Sequence, residues 1–335
     1  MKIDRTELTK ALEIVKPGLA NTELIEQSTS FAFLGDRVVT YNNSISISHP
    51  VKGLKLTGAI HSKELYEFLR RTKKDEVEIK ATDREVQLKC GNSRAGLTLQ
   101  QEVVLPLDEI SEEKDWETLP EEIVDGISFV KDSSSRDTQR PILNCIHLTE
   151  TMAEASDGFQ IIRLYAEGFP FADCLLPAGN AREALRINPS LVARTDGWLH
   201  FKNADGTQIS CRTLEDEYPN TDGHFQVDGE GITFPKTMNE ILDRVRVFTA
   251  TSTNEFEEVM EVELKDNRLT VKARNEYGWF KEPAKIKYAG KPVSFWVAPV
   301  LLKNILSKSD QCTLGERKIK FEGEGWEYVA VLKAV

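Results

Sequence analysis

"TELTKALEIVK", residues 6 to 16, places Leu8, Ala11, Leu12 and Val15 at i, i+3, i+4 and i+7, the spacing of one apolar helix face. The same kind of segment returns as "PEEIVDGISFVK" (120 to 131) and as "KTMNEILDRVRVF" (236 to 248), where Met238, Ile241, Leu242 and Val245 repeat the pattern. The three starts lie 114 and 116 residues apart. Three further helical segments, "SKELYEFLRRTKK" (62 to 74), "NAREALRI" (180 to 187) and "APVLLKNILSK" (298 to 308), are spaced by 118 in both intervals. Between them the chain alternates apolar and polar residues like strands, as in "EVEIKATDREVQLKC" and "NRLTVKARNEYGWF". A period of this length is too long for a solenoid repeat and suits a whole small domain. The expectation is an α+β fold of three tandem domains, 1–112, 113–231 and 232–335, each reading helix, strands, helix, strands. Linkers fall in the polar stretches 108–122 and 215–235.

The bounds agree. A chain of 335 residues with 40% hydrophobic content is long enough for several cores. Five scattered cysteines, Cys90, Cys145, Cys174, Cys211 and Cys312, form no C-x-x-C pair, which disfavours a disulfide framework or structural zinc and suits a reducing cytoplasm. "MKIDRTELTKALEIV" has no apolar core of signal-peptide length, and no apolar run reaches membrane-spanning length. The expected location is cytoplasmic, with no membrane partner.

The net charge of −11 argues against generic binding to a polyanion, but its distribution is uneven. With the first segment counted from Arg5, the six helical segments together carry +6, leaving −17 for the rest of the chain. Solvated Lys and Arg on outer faces are the commoner reason for charged helices. A shared functional face of basic helices is the sharper reading.

At "SSRDTQRPILNCIHLTETMAEASDGFQIIRL" (134 to 164) the chain resembles the bacterial β sliding clamps, the processivity subunits of replicative DNA polymerase (the DNA polymerase III β subunit family). That family has in this place an Arg, two bulky residues and Asn, then a hairpin ending in a Thr-Asp-Gly-His-Arg-Leu type motif. "GNSRAGLTL" (91 to 99), "VVLPLDEI" (103 to 110), "EYPN" (217 to 220) and "EYVAVLKAV" (327 to 335) extend the resemblance over nearly the whole chain. It is distant, of the degree a virus-encoded version would show. The resemblance implies three copies of one domain, two helices packed on sheets. Two subunits then join head to tail as a homodimer ring around duplex DNA, with a clamp loader and the replicative DNA polymerase as further partners. It implies no enzyme, no cofactor and no metal.

By the same resemblance the Asp157-Gly158 turn lines an apolar pocket for short peptides of partner proteins. The implied pocket residues are Leu143, Ser156, Asp157, Gly158, Phe159, Gln160 and Ile161, with Pro219 from the linker and Val329 and Val331 from the closing strand. Without the resemblance the turn is an ordinary hairpin, since Asp-Gly is a favourable turn pair. The implied DNA-facing cations are Arg70, Arg71, Lys73, Lys74, Arg136, Arg182, Arg186, Arg244, Lys303 and Lys308. The implied ring interface joins the edge around Ala95 and Leu97 to the helix end at Ala250 and Thr251.

The departures from the family bear on specificity. Phe159 and Gln160 stand where His and Arg are usual, and "VLKAV" replaces Met-Pro-Met-Arg-Leu. Ala95, Ala250 and Thr251 make the implied interface less apolar. Asn21, Ala178 and Gly179 occupy positions where basic residues often lie.

Catalytic signals are weak. The five histidines, His49, His61, His147, His200 and His224, show no ligand spacing, and there is no Walker loop or G-x-S-x-G. Two alternatives stay open at this point: a repeat-built protein scaffold that does not encircle DNA, and a carboxylate-based hydrolase drawn from the 54 acidic residues.

Overall fold

The computed structural model of the chain describes residues 1–111, 114–166, 168–250, 256 and 258–334. All six helical segments form helices: Arg5–Val15, Ser62–Arg71, Glu121–Val130, Ala178–Arg186, Met238–Thr249, and Pro299–Lys303 continued by a 3-10 turn at Ile305–Ser307. The first helix shows why these boundaries hold. Asp4 caps it by accepting the Glu7 N–H at 2.9 Å, and Leu8, Ala11, Leu12 and Val15 are buried along one face. Burying each of the larger side chains contributes roughly 1.5–3 kcal/mol. Pro17 then ends the regular helix in a 3-10 turn, Lys16–Gly18. A Cβ on Gly18 would stand 2.3 Å from Thr40 Oγ1, which itself donates to the Val15 carbonyl at 2.6 Å. Only glycine fits that approach.

The described residues pack as two units, Met1–Ser128 with Pro170–Glu215, and Phe129–Phe169 with Asp216–Val335. The first unit holds a four-stranded antiparallel sheet in the order Lys2–Asp4, Glu76–Ala81, Glu85–Cys90, Ser93–Thr98. Its second sheet has eight strands, and at its centre Ile45–Pro50 pairs with Gln208–Arg212. Its core includes Trp198, Tyr41 and Ala32, onto which Leu105 and Ile110 of the "VVLPLDEI" stretch pack.

The second unit follows the same plan. A sheet runs Cys145–Leu148, Met152–Ser156, Gln160–Tyr165, Trp326–Val331, Lys318–Gly323, Gln311–Leu314, Glu230–Thr233. Here Gln160–Tyr165 pairs with Trp326–Val331, one repeat interval further along the chain than the pairing of Ile45–Pro50 with Gln208–Arg212. One strand from each half of the middle third is thus hydrogen-bonded to a strand of a neighbouring third, and the packing units divide between those halves. A five-stranded sheet, Gly278–Lys285, Arg268–Asn275, Met260–Lys265, Val293–Val297, Lys333–Ala334, completes the unit. Helix Met238–Thr249 covers one of its faces, burying Met238, Ile241, Leu242 and Val245.

All five cysteines are buried thiols, and burial pushes the Cys174 thiol up to about 11. Among the described residues no helix is long and apolar enough to cross a membrane.

Candidate partner-binding site

The Asp157-Gly158 turn is built by its own side chains. Asp157 Oδ1 accepts the N–H groups of Phe159 at 2.8 Å and Gln160 at 3.0 Å, while Gly158 takes φ +90°, a conformation costly for any side-chain-bearing residue. Ser156 Oγ donates to the Gln160 carbonyl at 2.8 Å and accepts the Gly158 N–H at 3.1 Å. The Gln160 side chain turns back into the protein: Nε2 donates to Asp157 Oδ2 at 2.7 Å and Oε1 lies 2.8 Å from the Tyr328 hydroxyl. That hydroxyl also reaches the Leu301 carbonyl, so its single proton serves two acceptors. Burial pushes the Asp157 carboxyl above the usual carboxylate range, against the lowering effect of these hydrogen bonds.

Beside the turn lies a cavity of about 240 Å³. Nine of the ten residues implied for the pocket line it: Leu143, Ser156, Gly158, Phe159, Gln160, Ile161, Pro219, Val329 and Val331. The tenth, Asp157, is spent on the turn and does not line it. Pairing of Ile161 with Val329 across two strands brings residues from both ends of the unit into one floor.

Sequence reading missed what holds the opposite wall. Asn220, Thr221, His224 and Lys318 also line the cavity, and the linker that carries the first three is anchored by a buried ion pair. Arg163, 7% exposed, bonds to Glu154, 1% exposed; it donates to Thr221 Oγ1 at 2.8 Å and meets Asp222 at 2.8 Å. Thr221 in turn donates to Glu154 Oε1 at 2.7 Å. An arginine inside the apolar run "IIRL" was the available signal, because an arginine is rarely buried without a partner. The Phe159 ring stacks on Phe256 with centroids 5.0 Å apart. No local pattern announces that contact.

The implied DNA-facing cations are all on helices or the loops beside them, but many are already paired. Arg70 and Arg71 share Glu67, at 3.0 and 2.8 Å, and Arg186 bonds to Glu183 at 2.8 Å and to the Ile14 carbonyl at 2.7 Å. Arg244 clasps Glu282 with two hydrogen bonds, 2.9 and 2.7 Å, and Lys303 pairs with Asp243. Lys73 and Lys74 are exposed beyond the helix Ser62–Arg71, Lys308 lies over the Phe129 ring at 5.3 Å, and Arg136 and Arg182 are exposed. Ala95 and Leu97 lie on Ser93–Thr98, one of the two edge strands of the four-stranded sheet, opposite Leu88 and Val86. Ala250 caps the end of helix Met238–Thr249, and Thr251 lies outside the described residues. Another edge strand, Gly278–Lys285 of the five-stranded sheet, was not singled out from sequence. Pro283 within an alternating strand was its signal, since proline in sheets is confined largely to edges.

His200 is fully buried, with Nε2 2.8 Å from Thr195 Oγ1 and Nδ1 2.8 Å from Ser210 Oγ. It packs as a core group. Among the described residues no cluster of His, Cys, Asp and Glu is placed to hold a metal.

No family model matches the chain, and no curated protein matches it in sequence. Solved structures do match along its whole length. The DNA polymerase III subunit beta of Pseudomonas aeruginosa superposes with a TM-score of 0.84 at 13% identity, covering 100% of both chains. The beta subunit of Streptococcus pyogenes DNA polymerase gives 0.83 at 18%, and the Bacillus subtilis DNA polymerase sliding clamp 0.83 at 14%; each covers 100% of this chain, and 99% and 98% of the other. The chain therefore has the sliding-clamp fold, at a sequence distance that leaves its role to be argued from the site.

Proposed function

We propose that this chain is a DNA sliding clamp, a non-enzymatic processivity factor that encircles duplex DNA and tethers the replicative polymerase and other partners. The observation that carries the reading is the cavity beside Asp157-Gly158: in a chain whose full length follows the clamp fold, nine residues from three separate segments meet there in an apolar groove. A hairpin that served only packing would not need them. Partner segments that order on docking bury apolar side chains and lose chain entropy, so modest affinity and exchange follow.

The proposed ring has three domains per chain, 1–112, 113–231 and 232–335, and two chains head to tail. The joining surfaces would be two of the sheets' edge strands, Ser93–Thr98 with Ala95 and Leu97 in one unit, and Gly278–Lys285 in the other, whose Phe280 packs on Phe248 two residues before Ala250. DNA would be held by topology, with weak positive contacts from the helices, because each neutralised phosphate adds salt-dependent affinity. A clamp loader is needed to open a closed ring. The deciding experiment is retention after loading on circular DNA compared with the same DNA linearised. Loss on linearisation is expected; equal retention on both, or none on either with polymerase unstimulated, would remove the encirclement reading.

A protein scaffold that does not encircle DNA is the second reading. The ion pairs that neutralise Arg70, Arg71, Arg186, Arg244 and Lys303 favour it. Failure of retention with intact peptide binding would select it.

A further inference from the structure

The five-stranded sheet has one face under helix Met238–Thr249 and one face turned away from it. Cross-strand register assigns the outward face: Arg274 opposite Trp279, Lys272 opposite Lys281, Thr270 opposite Pro283, Arg268 opposite Lys285. On the next strand Glu261 and Glu263 face Lys272 and Thr270, and Lys265 faces Arg268. Both carboxylates are taken by one lysine, Lys272, at 3.0 and 2.7 Å. Lys265, Arg268, Arg274, Lys281 and Lys285 are exposed and make no ion pair among the described residues. In a chain of net charge −11 this is a concentrated basic surface.

It also carries aromatic rings in the open. Trp279 is 68% exposed, and Tyr277 at the tip of the same hairpin is 87% exposed. The turn of the hairpin is closed by a side chain: Asn275 Oδ1 accepts the N–H groups of Tyr277 and Gly278, both at 3.0 Å. A large exposed ring held on a strand among cations costs solubility and gives nothing to the core. Trp279, Lys281, Pro283 and Lys285 stand on one face with one residue skipped each time, about 7 Å apart.

We propose that this outward face binds single-stranded nucleic acid. An unpaired base can stack on the Trp279 ring beside the Arg274 guanidinium, while Lys281 and, further along the strand, Lys285 with Arg268 opposite it are placed to meet phosphates. Duplex DNA has its bases already stacked and offers this flat surface only phosphates. The site is separate from the peptide cavity, and pairing at the Gly278–Lys285 edge would use backbone N–H and C=O groups in the plane of the sheet, leaving its outward face free.

The test uses the whole chain and a short linear fluorescein-labelled oligo(dT), which no ring retains, so its outcome is independent of the encirclement proposal. Anisotropy should report binding that weakens as salt rises, is tighter for oligo(dT) than for duplex of equal length, and quenches tryptophan fluorescence. Trp279→Ala should lose about tenfold in affinity and Trp279→Phe should keep most of it. Lys281→Glu with Lys285→Glu should weaken binding and flatten the salt dependence. Unchanged affinity in Trp279→Ala, or duplex binding as tight as single strand, would overturn the proposal. Displacement of oligo(dT) by polyglutamate at matched charge would assign the face to an acidic protein instead and overturn it as well.

Discussion

Ile161 and Val329 are direct cross-strand partners, and both line the cavity beside the Asp157-Gly158 turn. Two positions on, Val331 lines the same cavity at 37% exposure, whereas Val329 is 4% exposed. The two valines therefore separate recognition from packing. Val331→Asp puts a charge beside the apolar floor that docking must desolvate, a cost that Lys318, its cross-strand partner, offsets only in part, so peptide affinity should fall about tenfold, or roughly 1.4 kcal/mol. Stability should stay within about 0.5 kcal/mol, as for other surface changes. Calorimetric titration and a melting curve on one preparation check both; intact binding in the folded variant would remove the cavity from the proposed function.

The proposed DNA contact divides along the observed ion pairs. Lys73 and Lys74 have no carboxylate partner among the described residues, while Arg70 and Arg71 share Glu67. Replacing both lysines by Ala should lower the slope of log affinity against log salt by up to about 1.8. Replacing both arginines should lower it less, because Glu67 already offsets part of their charge. Equal slopes for the two double variants would show that the Glu67 pairs open on contact with DNA.

Repeat structure was legible because helix periodicity is local: Leu8, Ala11, Leu12 and Val15 are within one segment, and so are their counterparts at Met238 to Val245. The pocket floor was legible only through the resemblance. What joins Ile161 to Val329 is strand pairing across most of the second unit, and no short-range pattern carries it. The Arg163–Glu154 pair, the Phe159–Phe256 stack and the Gly278–Lys285 edge share that non-local origin. The charge count shows the limit clearly, since Arg244 adds to a basic helix in sequence yet in space is clasped by Glu282 on a strand.

His200 should govern acid sensitivity of the first unit. Burial, helped by the charge of Lys114, pushes its imidazole down to about 3, whereas in an unfolded chain it titrates near the ordinary value of about 6.5. Between those values the unfolded chain binds a proton that the folded chain refuses, so stability falls as pH drops through that window. By pH 5 the loss attributable to this group is about 2 kcal/mol. Urea unfolding at pH 7 and pH 5 should show a smaller difference in His200→Gln than in the parent. An identical pH difference would place the acid-sensitive group elsewhere.

Arg163 should be the anchor of the cavity's linker wall. Removing one member of a buried ion pair leaves the other charge uncompensated, and Arg163→Met should cost about 3–5 kcal/mol, while adding Glu154→Gln should recover part of it. The double variant should keep its fold but bind peptide more weakly, since Thr221 and Asp222 lose their tether. Full peptide affinity in the stable double variant would show that the linker wall holds its place without it.

Asp157 offers the sharpest test of how the turn is made. Its carboxylate accepts from Phe159 N, Gln160 N and Gln160 Nε2, so Asp157→Ala leaves buried donors unpaired and should cost about 2–3 kcal/mol. Asp157→Asn should behave differently. Its Oδ1 keeps both backbone N–H groups, and a flip of the Gln160 amide lets Oε1 accept from the new Nδ2 while Nε2 donates to the Tyr328 hydroxyl. That hydroxyl is then free to give its one proton to the Leu301 carbonyl, so every group in the chain is satisfied and no charge is buried. At neutral pH the Asn variant should match or exceed the parent in melting temperature. Because the folded Asp157 pKa is raised, the parent takes up a proton on acidification before its unfolded form does, and gains stability as pH falls through that window. The Asn variant's advantage should therefore be largest at neutral pH and shrink toward acid, with peptide affinity unchanged, as the side chain does not line the cavity. An Asn variant as unstable as the Ala variant would show that the turn depends on the carboxylate itself.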